Sequence, residues 1–317
     1  NTEYVKGMLR PVFRFSRLPV WEFDFAPHDV GRYPYASGQV YGLKDHKDEY
    51  DGENGNIPPF YYQFPKGCDV YEHHFQMPVE ECGNMLVMTA AACLLDKNAD
   101  FALPYMDILK QWTKYLIEYG TDPGEQLCTD DFAGHLSHNV NLSAKAIVGI
   151  EAYAQILRLA GSEKDYETYH EKAKTMAKSW EDRAFDKDHY RLTFDGEGSW
   201  SLKYNTIWDK FFKSGLFSDQ LYQMEIEYYL KKNQKYGVPL DNRKAYTKSD
   251  WILWSAAITD DPEKRKQLIE PVAEYQRETK SRIPFSDWYD TKSGKQCGFI
   301  ARSVQGGIFM PILMDRT

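Results

Sequence analysis

Six short stretches dense in carboxylates, amides, Trp and Gly recur along this chain at intervals of roughly fifty residues. They run from His28 to Gly42, Met77 to Leu86, Leu127 to Asn141, Ser199 to Lys210, Val238 to Trp254 and Pro284 to Ser303. Between most of them lies a plainer amphipathic helix with a Lys- and Glu-rich outer face, so rich and plain elements alternate. Helical hairpins set in a ring produce that alternation and would gather the rich segments around one cavity. The expected fold is therefore all-α, an (α/α)6 toroid of six helical hairpins, with residues 1–317 forming a single domain.

The plain helices carry their own boundaries. Tyr105, Ile108, Leu109, Trp112, Tyr115, Leu116 and Tyr119 step at three and four before Gly120. Ser162 with Asp165 reads as a capping box ahead of Tyr166, Tyr169, Ala173, Met176, Ala177 and Trp180. Pro262 suits a first helical turn, and Pro271 lies within the helix that follows. By contrast, Leu136 to Ala160 and Met85 to Leu95 have almost no polar face, which predicts inner helices buried nearly all round. Strand signals are few. Tyr190 to Phe194 alternates and predicts at most a short hairpin strand, and the long irregular stretch Asp45 to Tyr71 predicts an ordered loop that buries Tyr61, Tyr62 and Phe64.

A net charge of −8 gives no footing for nucleic acid, whose partners show a basic patch or stripe. No apolar run reaches the length of a membrane span. The chain starts at Asn1 without an initiator Met, which predicts a piece of a longer protein whose N-terminal region is a partner of this domain. Cys68, Cys82, Cys93, Cys128 and Cys297 are odd in number and widely spaced, so neither a zinc ribbon nor a disulfide framework is expected.

From Met77 onward a resemblance becomes specific. Met77-Pro78-Val79-Glu80-Glu81-Cys82-Gly83-Asn84-Met85, Leu127 to Leu142, Lys203 to Lys210, Tyr246 to Trp251, Ser286-Asp287-Trp288-Tyr289 and Ala301-Arg302-Ser303-Val304 resemble blocks of the glutaminase A family. The resemblance implies a six-hairpin glycosidase-like domain and hydrolysis of the glutamine side-chain amide to glutamate and ammonia. It also implies a secreted or periplasmic enzyme with a region N-terminal to this domain. Glycoside hydrolases share the architecture, so a glycosidase or a non-catalytic carbohydrate- or peptide-binding module is the alternative.

Residue by residue, no Ser-x-x-Lys or Gly-x-Ser-x-Gly nucleophile motif occurs, and Lys292-Ser293-Gly294 reads as a turn. What remains is a water activated by a carboxylate, or an unrecognised nucleophile, acting on a small-molecule substrate with no cofactor and no metal expected. Asp130 and Asp131, ahead of the buried helix, and Glu81 are the catalytic candidates. Glu80 beside Glu81 and His135 join the substrate-binding set; His135 and His138, at i and i+3, would share a helix face with Asp131 as a metal-like set, but the His-Glu-x-x-His pattern is missing. Lys203, Trp208, Asp209, Lys248, Asp250, Trp251, Asp287, Trp288 and Arg302 complete that set. An α-amino acid needs a cation for its carboxylate, so only the glutaminase reading requires Lys203, Lys248 or Arg302 to face the pocket; a neutral glycan needs none and would lean on the Trp side chains. His28, with Gly31, Tyr33, Tyr35, Gly38 and Gln39, forms the first rich loop.

Overall fold

The computed structural model describes residues 1–30, 70–281 and 284–317. The readings made for Gly31, Tyr33, Tyr35, Gly38, Gln39, Tyr61, Tyr62, Phe64 and Cys68 lie outside the described residues. Helix dominates what is described. The helices are α1 (Thr2–Phe15), α2 (Pro78–Asp96), α3 (Met106–Tyr119), α4 (Val140–Leu159), α5 (Glu163–Ala184), α6 (Ile207–Phe212), α7 (Asp219–Lys232), α8 (Ser249–Ala256), α9 (Pro262–Glu278) and α10 (Met310–Met314). The strands are β1 (Phe185–Asp186), β2 (His189–Tyr190), β3 (Tyr246–Lys248), β4 (Ser286–Asp290) and β5 (Gln296–Ile300). Backbone contacts divide the chain into one compact unit of Asn1–His138 with Lys145–Ala173, and another of Asn139–Ala144 with Lys174–Thr317.

In the first unit α1 packs on α2 and α2 on α3. Asn1 caps α1 by accepting the Glu3 amide at 3.0 Å, and Pro78 opens α2 where its missing N–H is of no consequence. The two layers differ as the sequence predicts. Residues of α2 are buried on several faces, whereas α3 hides Ile108, Leu109, Trp112, Tyr115 and Leu116 and exposes Lys110, Lys114 and Glu118. Phe13 of α1 stacks on Tyr105 at 4.0 Å and on Trp112 at 5.5 Å, and burial of such a ring contributes about 2–3 kcal/mol. Helices α2 and α4 meet at backbone level: a Cβ built on Gly149 would stand 3.1 Å from the Gly83 Cα and 2.6 Å from Leu116 Cδ1.

Helix α4 is buried along most of its length, from Val140 through Leu157. It begins four residues later than expected. His138 takes a left-handed φ of 59°, and the Asn139 side chain then accepts the Leu142 amide at 3.0 Å and caps the helix. Helix α5 starts where Ser162 and Asp165 predict, but the two side chains bond each other, the Ser162 hydroxyl donating to Asp165 at 2.7 Å, and the Ser162 amide donates to the Leu157 carbonyl at 2.9 Å instead of closing the box. Asp261 caps α9 by accepting the amides of Glu263 and Lys264.

The second unit holds more sheet than the alternation test suggests. The hairpin β1-β2 includes only Tyr190 of the stretch Tyr190 to Phe194. A further antiparallel sheet, ordered β3-β4-β5, comes from two rich segments and was not anticipated. Its register pairs Lys248 with Trp288 and Trp288 with Gly298. Ser286 and Asp287 are buried although polar, so the apolar alternation that marks a half-buried strand is missing from β4. Lys292-Ser293-Gly294 is the turn of that sheet: Asp290 accepts the amides of Lys292 and Ser293, and Gly294 has φ +66°. Among the described residues no helix is long and apolar enough to cross a membrane.

Candidate functional site

The second unit gathers seven of the candidate residues. Strand β3 ends at Lys248 and runs directly into α8, which puts Asp250 in the first helical turn, two residues away. Asp287 comes from the neighbouring strand β4, and Arg302 reaches back after β5. Lys248 Nζ lies 2.8 Å from Asp287 Oδ2, and the Arg302 guanidinium donates to the same carboxylate, Nη2 to Oδ2 at 2.7 Å. Asp250 Oδ1 is 3.4 Å from Lys248 Nζ, yet neither Asp250 oxygen has a hydrogen bond. All three of Lys248, Asp250 and Asp287 are buried, with Asp250 only 1% exposed.

The two carboxyls are thereby driven apart. Burial pushes Asp250 up, Lys248 offsets part of that, and the negative Asp287 adds to it, leaving Asp250 at about 6. Burial acts on Asp287 in the same sense, but Arg302 and Lys248 outweigh it and hold this carboxyl below its ordinary value. One acid is locked as an anion; the other exchanges its proton near neutrality, as a general acid or base must.

Tryptophans surround the helix that carries Asp250. Trp251 stacks on Tyr204 at 4.2 Å, lies 5.5 Å from Lys248 Nζ, and meets Trp254 edge-on at 5.0 Å; Trp254 meets Trp208 at 5.4 Å. The indole N–H groups of Trp208, Trp251 and Trp254 are buried and without a hydrogen-bond partner. Buried donors left unpaired are rare and point to functional ground. Trp288 faces Lys248 across the β3-β4 ladder.

Lys203 and Asp209 are placed elsewhere in this unit, and the chain itself takes their polar atoms. Lys203 is fully buried, donating to the carbonyls of Tyr190 and Ser201 at 3.0 and 2.8 Å, with Glu225 at 3.8 Å. Burial lowers it to about 8 against the pull of Glu225 and Asp241. Asp209 accepts the amides of Leu216 and Phe217 and the Tyr222 hydroxyl, which shapes the turn after α6. Of the three cations considered for an α-carboxylate, Lys203 and Lys248 are thus consumed inside the fold. Arg302 is spent on Asp287 through Nε and Nη2; its side chain is 35% exposed, and Nη1 has no partner among the described residues.

The first unit holds the remaining candidates. Glu81 Oε1 lies 2.9 Å from His28 Nδ1, and Asn84 donates to Oε2 at 3.3 Å. Lys145 donates to Asn84 at 2.7 Å and lies 3.3 Å from Glu80, both ion-pair partners being buried. Burial works against a charged His28, yet the hydrogen bond and charge of Glu81, with Asp29 and Asp131 further off, raise it above its ordinary value. The sequence offers no signal for this pairing, because 53 residues separate the partners.

Asp131 opens a short 3-10 turn, Asp131–Ala133, and accepts the Phe132 amide at 2.8 Å; Asp130 precedes it. With α4 starting at Val140, Asp131, His135 and His138 do not share a helix face, which corrects that expectation. His135 instead stacks on His74 at 4.1 Å and bonds its carbonyl at 2.9 Å, and His138 pairs with Asp122 at 2.9 Å. Among the described residues no group of three or more His, Cys, Asp or Glu side chains is arranged to hold a metal ion.

Comparison with known proteins places this geometry in a family. Glutaminase A of Aspergillus oryzae is 32% identical over 322 residues, covering 99% of this chain and 42% of that protein. A probable glutaminase of Arthroderma benhamiae is 34% identical over 405 residues, covering 100% of this chain and 43% of that protein. The chain therefore spans less than half the length of these curated relatives. Among solved structures, cellobiose 2-epimerase from Bacillus thermoamylovorans aligns over 75% of this chain and 72% of its own, at a TM-score of 0.49 and 12% identity. The glutaminase A six helical-hairpin domain matches residues 1–312, and the chain belongs to that family, sharing its all-α fold of six helical hairpins.

Proposed function

We propose that this chain is the helical-hairpin part of a glutaminase that hydrolyses the side-chain amide of glutamine, with Asp250 as the group that moves the proton. The observation that carries this reading is the Asp250 carboxyl, buried, without a hydrogen bond on either oxygen, and poised at about 6 beside an anion locked by two cations. The names of the two relatives support the substrate.

Water adds to the amide carbon, forming a C–O bond while Asp250 takes a proton from the water; the same proton then passes to the amide nitrogen as the C–N bond breaks. Glutamate and ammonia leave, and Asp250 is restored. Asp287 stays charged throughout, because Lys248 and Arg302 hold it so, and its field keeps Asp250 basic enough to accept a proton. The partnerless Nη1 of Arg302 is our candidate for the substrate α-carboxylate. Glu81 with His28, and Asp131, form a second acidic group in the other unit and are tested separately.

The test follows ammonia release from L-glutamine by the full-length protein and by Asp250→Asn. Turnover should fall by at least about a hundredfold, the low end of what a positioned acid or base supplies. A specific observation favours a second reading, glycoside hydrolysis: most of the cationic groups are already paired, while three partnerless indoles flank the acid. Wild-type protein that releases reducing sugar from a neutral glycan and no ammonia from glutamine across a broad pH range would replace the first reading with the second.

A further inference from the structure

Asp250 is out of reach in this state, and what closes it off is specific. The 3-10 segment Ser303–Phe309 packs on α8. Gly307 rests against the acid itself: a Cβ there would stand 2.8 Å from the Asp250 Cβ and 3.0 Å from Trp254 Nε1. Two residues earlier, Gln305 Oε1 accepts the Ser249 hydroxyl at 3.3 Å, while its amide nitrogen is buried with no partner. A glutamine carboxamide from the chain therefore sits on the first turn of the helix that carries Asp250.

The segment is built to come away. None of its seven residues is buried, Phe309 is 60% exposed, and two glycines in its middle contribute no side-chain packing. A 3-10 run this long has poorer hydrogen bonds than an α-helix and is uncommon. Just before it, Phe299 and Ala301 adopt φ of 50° and 52°, a region disfavoured for residues with a Cβ. The charged tie at its base is Arg302 on Asp287. Low burial and strained flanks are marks of an element that opens locally without global unfolding.

We infer that Ser303–Phe309 is a lid closed over Asp250, and that its own Gln305 side chain, set on Ser249, is an internal stand-in for a carboxamide substrate. The inference rests on Asp250 as the proton-moving group. Opening withdraws Gly307 from the acid and Gln305 from Ser249, and a substrate amide takes the vacated place. The closed state then competes with substrate, and apparent affinity is scaled down to the fraction of molecules that are open.

The experiment reads the lid without relying on turnover. Intact protein, Gly307→Ala and Arg302→Gln are treated with a carbodiimide and glycine ethyl ester, and labelling of Asp250 is followed by peptide mass; hydrogen exchange is recorded over 303–309 and over α8. A methyl on Gly307 obstructs closure and loss of Arg302 removes the tie, so Asp250 should label about tenfold faster or more, the factor a charge-assisted bond is worth. In the wild type, amides of 303–309 should exchange well before those of α8. If Gly307→Ala does not fold, Arg302→Gln decides. Unchanged labelling, or exchange of 303–309 only together with α8, overturns the lid. With Gln305→Ala, KM for glutamine should drop about threefold or more at similar kcat; an unchanged or raised KM removes the stand-in role. If labelling and exchange behave as stated while wild-type protein shows no ammonia release, the lid stands and the catalytic reading falls.

Discussion

Replacing Asp250 by Asn should make the protein more stable, by an amount that depends on pH. In the unfolded chain this carboxyl titrates near the ordinary aspartate value of 3.8; in the folded chain burial holds it at about 6. The folded state thus prefers the protonated form. The stabilisation associated with that proton is fully present below the unfolded value and is lost as pH rises through the folded one. A separation of about two pH units corresponds to about 3 kcal/mol. Asparagine keeps the shape and cannot ionise, so the stability difference, variant minus wild type, should grow by about 3 kcal/mol between pH 3 and pH 7 and level off above that. Urea titrations of both proteins at half-unit pH steps, followed by Trp fluorescence, measure it, and the subtraction cancels every group the two share. The same substitution should abolish most turnover, so stability rises as activity falls, the trade expected where a site keeps a destabilised group for function. A difference that stays flat with pH would refute the claim that Asp250 is held protonatable by its surroundings, and the acid/base role with it.

If Glu81 or Asp131 also takes part in the reaction, Glu81→Gln and Asp131→Asn should each lower ammonia release by at least about a hundredfold with folding preserved by circular dichroism; full activity in either variant assigns that carboxylate to the scaffold. Glu81→Gln should also lower the titration midpoint of His28, seen in its imidazole proton shifts, because Glu81 is what raises it; an unmoved midpoint sinks the pairing. Lys203→Met should lower stability by about 3–5 kcal/mol by stranding Glu225 in the interior. Adding Glu225→Leu should restore much of it, and additivity of the two in denaturant titrations would show that the residues are not coupled.

How far the residues alone reveal this protein differs from element to element. The nearly continuous apolar run from Leu142 to Leu157 fixes an inner helix, because burial on all sides leaves no place for a polar stripe. The Ser162 and Asp165 pair is equally readable, since both partners lie within one turn. Strand β4 escapes notice because two of its three buried residues, Ser286 and Asp287, are polar, and their partners come from other segments. The same gap misplaces Lys203 and Asp209: a sequence displays charges but not what neutralises them, and Glu225 lies on another helix. It also conceals the order among carboxylates. Asp250 and Asp287 read alike as acids of the rich segments, yet Asp250 has no hydrogen bond and only Lys248 at 3.4 Å, while Asp287 carries two cations. No spacing or motif singles out Gln305 and Gly307; the Gly306-Gly307 pair shortly after Arg302 is the one hint.

The crossing of α2 and α4 bears on how this chain can change over time. Gly83 sits one turn beyond Glu80, and an added methyl there would strike the Lys145 side chain and come within 3.1 Å of its carbonyl oxygen. The place of Glu80 and Glu81 is set there by missing atoms as much as by bonds. Random drift readily adds a methyl to glycine, but at this spot one methyl displaces a cation, an amide and two acids together. A mutational library aimed at new substrates would do well to leave Gly83 and Gly149 untouched and spend its diversity on the lid.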